Sequence, residues 1–135
     1  LGGPWESELT PMSWEELTTL SDAGWEIGSH TRTHPHLTLL SDVDLTHELR
    51  ESRSRCSEAL DRPCRSIAYP YGDVDQRVIA SAGSAGYDAG AALPRRFEST
   101  DPLCWPRVGV YRGDSPLRFR AKISPLVRRA RAAQL

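Results

Sequence analysis

The sequence predicts an α/β fold in which short parallel strands are covered by helices. Two observations predict it. Amphipathic segments with helix-capping residues alternate with short apolar runs that end in Pro or Gly, in the order helix, strand, helix, strand, helix, strand, loop, strand, helix. Ser66-Ile67-Ala68-Tyr69 is also a short apolar run bounded by Pro70 and Gly72, as a buried parallel strand would be.

The first helix is expected from Trp14 to Asp22. Ser13 and Glu16 form a capping-box pattern at its start, and Ala23-Gly24 supplies the stop. Leu17 and Leu20 give it part of an apolar face, and a strand should follow over Trp25-Glu26-Ile27-Gly28, running into Ser29-His30. A second helix begins near Ser41, capped by Ser41 or Asp42. It carries Leu45, Leu49, Cys56 and Leu60 in one buried stripe, with Glu48, Arg50, Glu51, Arg53 and Arg55 expected in solvent, and Pro63 marks its end. After the Ser66–Tyr69 strand, Asp73 or Asp75 opens a third helix with Val78, Ile79 and Ala82 inward, closing near Gly86. A further strand is expected between Tyr87 and Ala92.

The stretch from Leu93 to Pro106, rich in Pro, Arg, Ser and Asp, reads as an exposed loop. Arg107-Val108-Gly109-Val110-Tyr111 restores an alternating strand pattern. A last helix capped by Asp114 or Ser115 would turn Leu117, Phe119, Ile123, Leu126 and Val127 inward.

Composition narrows the function classes. The chain has 135 residues, 39% hydrophobic and 26% charged, which suits one globular domain. With 17 Lys and Arg against 18 Asp and Glu, the net charge of -1 gives no electrostatic reason to expect a nucleic acid or an acidic membrane as partner. Arg118, Arg120, Lys122, Arg128, Arg129 and Arg131 gather near the end, either as a solvated helix face or as a phosphate or partner contact. No run is long and apolar enough for a membrane helix, and Leu1-Gly2-Gly3-Pro4-Trp5 has no signal-peptide character, so the chain reads as soluble; its localisation stays open between cytoplasm and cell envelope. Its start at Leu rather than Met suggests further residues upstream. Cys56, Cys64 and Cys104 form no Cys-x-x-Cys pair and read as buried or incidental thiols.

Two segments carry chemistry. Ser29-His30-Thr31-Arg32-Thr33-His34-Pro35-His36 follows an expected strand, where ligand-binding side chains gather in parallel α/β folds. Two imidazoles four positions apart converge on one metal ion if the intervening segment forms a helical turn; the same spacing also fits solvated histidines on a helix face. Pro35 would end such a turn and leave His36 outside the metal shell. In Ala68-Tyr69-Pro70-Tyr71-Gly72-Asp73 the chain leaves a buried strand through Pro and Gly, which suits a rigid turn beside a site and equally an ordinary strand-to-helix connection.

In this order, the two segments resemble the polysaccharide deacetylases of carbohydrate esterase family 4. Ser29 to Pro35 is similar to the family's metal-binding segment, and Tyr69-Pro70-Tyr71-Gly72 to its groove-wall segment. Glu26-Ile27-Gly28, Leu37, Leu45 and Glu48-Leu49 fit the usual surroundings, and the resemblance runs from about Met12 to Ala92, with a loop, a late strand and a C-terminal helix over 93–135. It implies an incomplete, distorted (β/α) barrel, here with its early strands missing. It also implies a metal-dependent hydrolase that removes acetyl groups from N- or O-acetylated glycans. His30 and His34 take the metal-ligand roles, for zinc or another divalent ion. Tyr69, Pro70 and Tyr71 line the substrate groove, and the Tyr71 amide helps bind the developing oxyanion. Arg107 is a candidate to orient the catalytic base, or a surface arginine at a strand start.

The sequence departs from the family pattern in three places. Nothing in Leu1 to Gly28 resembles the family's paired aspartates, since Asp22 sits at a helix end. Ala68 stands where an arginine is frequent, and no histidine follows His47, which lies on an expected exposed helix face. The third metal ligand is therefore expected outside this chain. The alternative is a truncated or relic domain with at most a glycan-binding or scaffold role.

Overall fold

The computed structural model describes residues 11–93 and 101–124. Its first helix, α1, spans Trp14–Asp22. The capping box is formed at both ends, with the Ser13 amide donating to Glu16 at 2.7 Å and the Glu16 amide to Ser13 Oγ at 3.2 Å. Helix α2 spans Asp42–Leu60 with Ser41 as its cap, and α3 spans Gln76–Ser84 with Asp75 as its cap. Strand β1 is Ser66–Ala68, β2 is Ala89–Ala92 and β3 is Trp105–Pro106. All pair in parallel in the order β1-β2-β3. A last helix, α4, spans Pro116–Ile123 behind the Ser115 cap.

The core lies between this sheet and α2 and α3. The stripe Leu45, Leu49, Cys56 and Leu60 is buried as its spacing requires. It meets Ile67 and Tyr69 from β1 and the residue after it, and Val78, Ile79 and Ala82 from α3. The other side chains of β1 and β2, Ser66, Ala68, Ala89 and Ala91, are small and, with Trp105 of β3, line an open cavity of about 400 Å³. All three cysteines are buried and free. Among the described residues, no helix is long and apolar enough to cross a membrane.

Three expectations are corrected. Trp25 to Gly28 forms no strand, and only Ser29 bridges to Ile67. The Ser66 carbonyl and Ala68 amide on that edge of β1 are both taken by Ser29, at 2.8 Å each. The next carbonyl back, that of Cys64, accepts Arg53 Nε at 3.1 Å, so the carbonyl that a longer ladder would use is taken by a side chain. The strand expected over Arg107–Tyr111 lies instead at Trp105–Pro106. The Arg107 amide bonds the carbonyl of Ala92, the last residue of β2, at 2.8 Å. On α4, Leu117, Phe119 and Ile123 are exposed rather than inward. The helix is tied back by Lys122, which donates to the Gly109 carbonyl at 2.9 Å and pairs with Asp114 at 2.6 Å. Leu126, Val127, Arg128, Arg129 and Arg131 lie outside the described residues.

Candidate functional site

The site grows from the carboxyl ends of Ser29 and β1, which lie side by side. Ser29 is fixed twice: its backbone bridges β1, and its buried Oγ donates to Ser52 Oγ of α2 at 2.9 Å. Ser52 in turn contacts the Tyr87 hydroxyl at 3.1 Å, and that hydroxyl donates to the Leu49 carbonyl at the same distance. Burial, partly offset by hydrogen bonds from Ser29 and Ser52, holds the Tyr87 phenol above its ordinary pKa, so it stays a donor.

His30 follows directly, and its Nδ1 lies 2.5 Å from the Ala68 carbonyl oxygen. A carbonyl only accepts, so Nδ1 carries the proton and the lone pair is left on Nε2, the arrangement common in metal-binding histidines. The chain then turns through Thr31 and Arg32 to His34. It does so without the helical turn expected between the histidines: Thr31 and His34 both adopt left-handed backbone, with φ of 69° and 59°. For residues other than glycine this conformation costs about 1–2 kcal/mol each. Local bonds hold it, from the Thr31 amide to Ser29 Oγ at 3.2 Å and from the His34 amide to Thr31 Oγ1 at 3.1 Å.

The result is a pair of imidazoles meeting edge to face, centroids 4.8 Å apart. Tyr71 approaches from the other side, its ring 4.8 Å from that of His34 and stacked on His36 at 4.0 Å. His36 thus packs outside the pair, with Nδ1 3.7 Å from Asp73, whose carboxylate accepts Thr38 Oγ1 at 2.6 Å. Tyr71 rides a single helical turn, Pro70–Gly72, with its own φ at 57°, and its side chain is 55% exposed.

Tyr69 and Pro70, expected in the groove wall, are buried. Tyr69 turns into the core and donates its hydroxyl to the Leu103 carbonyl at 2.8 Å, with burial pushing its pKa well above the ordinary phenol range. Of the three groove-wall candidates, Tyr71 alone presents its side chain to solvent. Arg107 stands behind the turn: one guanidinium nitrogen donates to the Tyr69 carbonyl at 3.2 Å, while its buried Nε has no partner among the described residues. His47 is exposed on α2. Among the described residues, no third His, Cys, Asp or Glu joins His30 and His34 in a cluster suited to a metal.

One contributor is absent from the sequence expectations. Glu48, assigned there to the solvated face of α2, is buried beneath the histidine loop. It accepts the Arg32 and Thr33 amides at 2.9 and 3.0 Å and the Thr33 hydroxyl at 2.7 Å. Burial alone would raise its pKa, but the Thr33 and Arg32 hydrogen bonds and the Arg32 charge outweigh it and hold the carboxyl below its ordinary value. The signal was available: position 48 is three residues from Leu45 and four from Ser52, on the buried side of the wheel.

Comparison with known proteins identifies the family and the fold. Residues 3–90 match the family model described as polysaccharide deacetylase. A chitooligosaccharide deacetylase of Bradyrhizobium is 37% identical over 93 residues, covering 66% of this chain and 38% of that protein. Among solved structures, the Streptococcus pyogenes deacetylase PplD, in complex with acetate, superposes with a TM-score of 0.75 at 20% identity, over 87% of this chain and 53% of that one. A polysaccharide deacetylase from Bacillus cereus gives 0.71 at 23% identity, over 86% of this chain and 38% of that one. At these identities the two structures share the fold. The chain belongs to the polysaccharide deacetylase family. It spans 38% of the length of the Bradyrhizobium relative.

Proposed function

We propose that this chain carries the imidazole pair and groove wall of a metal-dependent hydrolase that removes acetyl groups from N- or O-acetylated glycans. The observation that carries the reading is the convergence of His30, His34 and Tyr71 at the carboxyl end of parallel strands. The small side chains of β1 and β2 beneath them support a further part of the proposal, that these strands belong to an incomplete barrel whose interior this face lines.

The residues fit a divalent ion such as zinc as two of its ligands. His30 presents Nε2, its other nitrogen being committed to Ala68, and the His34 ring lies beside it. Catalytic zinc generally takes three protein ligands, so a further one comes from outside the described residues. When bound, such an ion polarises the acetyl carbonyl and lowers the pKa of water.

The chain's own residues do the rest. Tyr71 offers an exposed aromatic face against which a sugar ring can lie, and its amide, held in a left-handed turn, is preorganised to donate to the acetyl oxygen as negative charge develops. Arg107 braces this turn through the Tyr69 carbonyl. Its unpartnered Nε suits a carboxylate, the group expected to take the proton from the attacking water. The products are acetate and a free amine or hydroxyl on the sugar.

A second reading is a catalytically inactive glycan-binding or scaffold domain, favoured by a donor set of only two histidines among the described residues. Incubating the full chain with zinc and N-acetylated chitooligosaccharide, and quantifying acetate and new amine together, separates the two. Equal release of both, lost in His30→Ala, supports the hydrolase. Glycan binding without acetate release supports the second reading.

A further inference from the structure

Helix α2 holds the histidine segment at two points, one on each side of His30. Ser52 takes Ser29 by its hydroxyl, just before His30. One turn earlier on the same helix, Glu48 takes the backbone of Arg32 and Thr33, just before His34. Both amides converge on the same carboxylate oxygen while Thr33 Oγ1 donates to the other, so successive N–H groups close around an anion as they do in backbone nests. Glu48 is itself immobilised, because its neighbours on α2, Leu45, Leu49 and Ser52, are all buried.

We propose that Glu48 is a positioning residue for the imidazole pair: its carboxylate holds the loop in the left-handed form that brings His34 against His30. The inference deepens the metal-site reading above and rests on it. Thr31 and His34 occupy backbone conformations that their side chains disfavour, and an unrestrained loop relaxes to right-handed or extended backbone at both. The Thr31 amide is anchored through Ser29, which β1 and Ser52 fix, but the His34 amide donates to Thr31 Oγ1, a bond internal to the loop that moves with it. Glu48 is the contact that ties the loop's midpoint to the core. Losing it lets the amides of Arg32 and Thr33 turn to water and frees His34 to swing away, while Ser29 still holds His30 in the sheet.

The test uses Glu48→Gln in the full chain. Glutamine preserves the shape and one acceptor oxygen but turns an NH2 group toward a donor of the loop and removes the charge. Two quantities are read: zinc affinity by calorimetry, and hydrogen exchange at the Arg32 and Thr33 amides without metal. The expected result is zinc affinity lower by about 10- to 100-fold, the usual effect of removing a group that orients a ligand. Exchange should be faster at Arg32 and Thr33, with core amides such as Ile79 and Tyr69 as protected as in the wild type. Thr33→Val, which removes one of the three bonds, should fall between.

Unchanged exchange at Arg32 and Thr33, or an equal loss of protection throughout the core, overturns the proposal. His30→Ala separates its failure from that of the metal-site reading. If His30→Ala loses zinc while Glu48→Gln retains wild-type affinity, Glu48 does not position the pair and the metal site stands. If His30→Ala binds zinc as the wild type does, the metal-site reading falls, and with it the proposed role of Glu48.

Discussion

Gly72 follows Tyr71 in its turn and packs against Leu93, and replacing it with alanine should distort the turn. Its φ is +68°, and a Cβ built there would overlap the Leu93 side chain and lie 2.5 Å from the Leu93 amide nitrogen. That amide donates to the Gly72 carbonyl at 3.1 Å, so Leu93 cannot retreat without giving up the bond that closes the turn. Left-handed backbone costs alanine about 1–2 kcal/mol, and forcing an extra methyl against packed backbone costs a further ~1–3 kcal/mol. The total of about 2–5 kcal/mol is a large share of a domain's typical stability, and should lower the melting temperature by roughly 10–20 °C. Gly24→Ala is the matched control: its φ is +89° but nothing lies within 4 Å of the added Cβ, so it bears the backbone cost alone. Thermal unfolding followed by circular dichroism compares them. Equal losses in the two variants would refute the packing of the Tyr71 turn against Leu93.

The remaining predictions concern the anchors of the site. Tyr87→Phe removes a buried hydroxyl that serves Leu49 and Ser52, and should cost about 1–2 kcal/mol in urea unfolding. A loss below about 0.5 kcal/mol would mean that this bridge contributes nothing net. The folded-state pKa of Glu48 lies below its ordinary value of 4.5, so its ionised form favours the folded state. That contribution is fully present above the unfolded value and is lost as pH falls through the folded one. The stability gap between wild type and Glu48→Gln should therefore be full at neutral pH and close on acidification below about 4.5; a gap independent of pH would contradict it. Leu45→Ala, at a fully buried position on α2, should cost about 2–5 kcal/mol by the same measurement, and tolerance of it would place the core elsewhere.

The helices were legible in the sequence because their signals are local. Ser13, Ser41, Asp75 and Ser115 each cap the helix that their spacing announces, and the stripe of α2 is buried residue by residue. The strands were less legible, since a strand exists only where a partner offers free backbone groups. Ile27 and Val110 carry the right pattern, but beside β1 only Ser29 forms a bridge among the described residues, and β2 ends at Ala92. The site shows the same division. His30, His34 and Tyr71 could be named as candidates from two short segments, but not the left-handed residues that join them or the turn of Tyr69 into the core, which depend on contacts over 15 to 38 positions such as Thr33 with Glu48 and His30 with Ala68. The charge of Glu48 points to solvent, while its place on the wheel beside Leu45 and Ser52 points to the core. A carboxylate is buried readily when three donors meet it.

One ion shared by the imidazoles of His30 and His34 is the centre of the proposed site. X-ray absorption at the zinc edge, on the zinc-loaded full chain and on each single alanine variant, tests this directly. The predicted result is a shell with two imidazole nitrogens at roughly 2.0–2.1 Å in the wild type and one fewer in either variant. A zinc environment that keeps both imidazoles after His30 or His34 is replaced would contradict it.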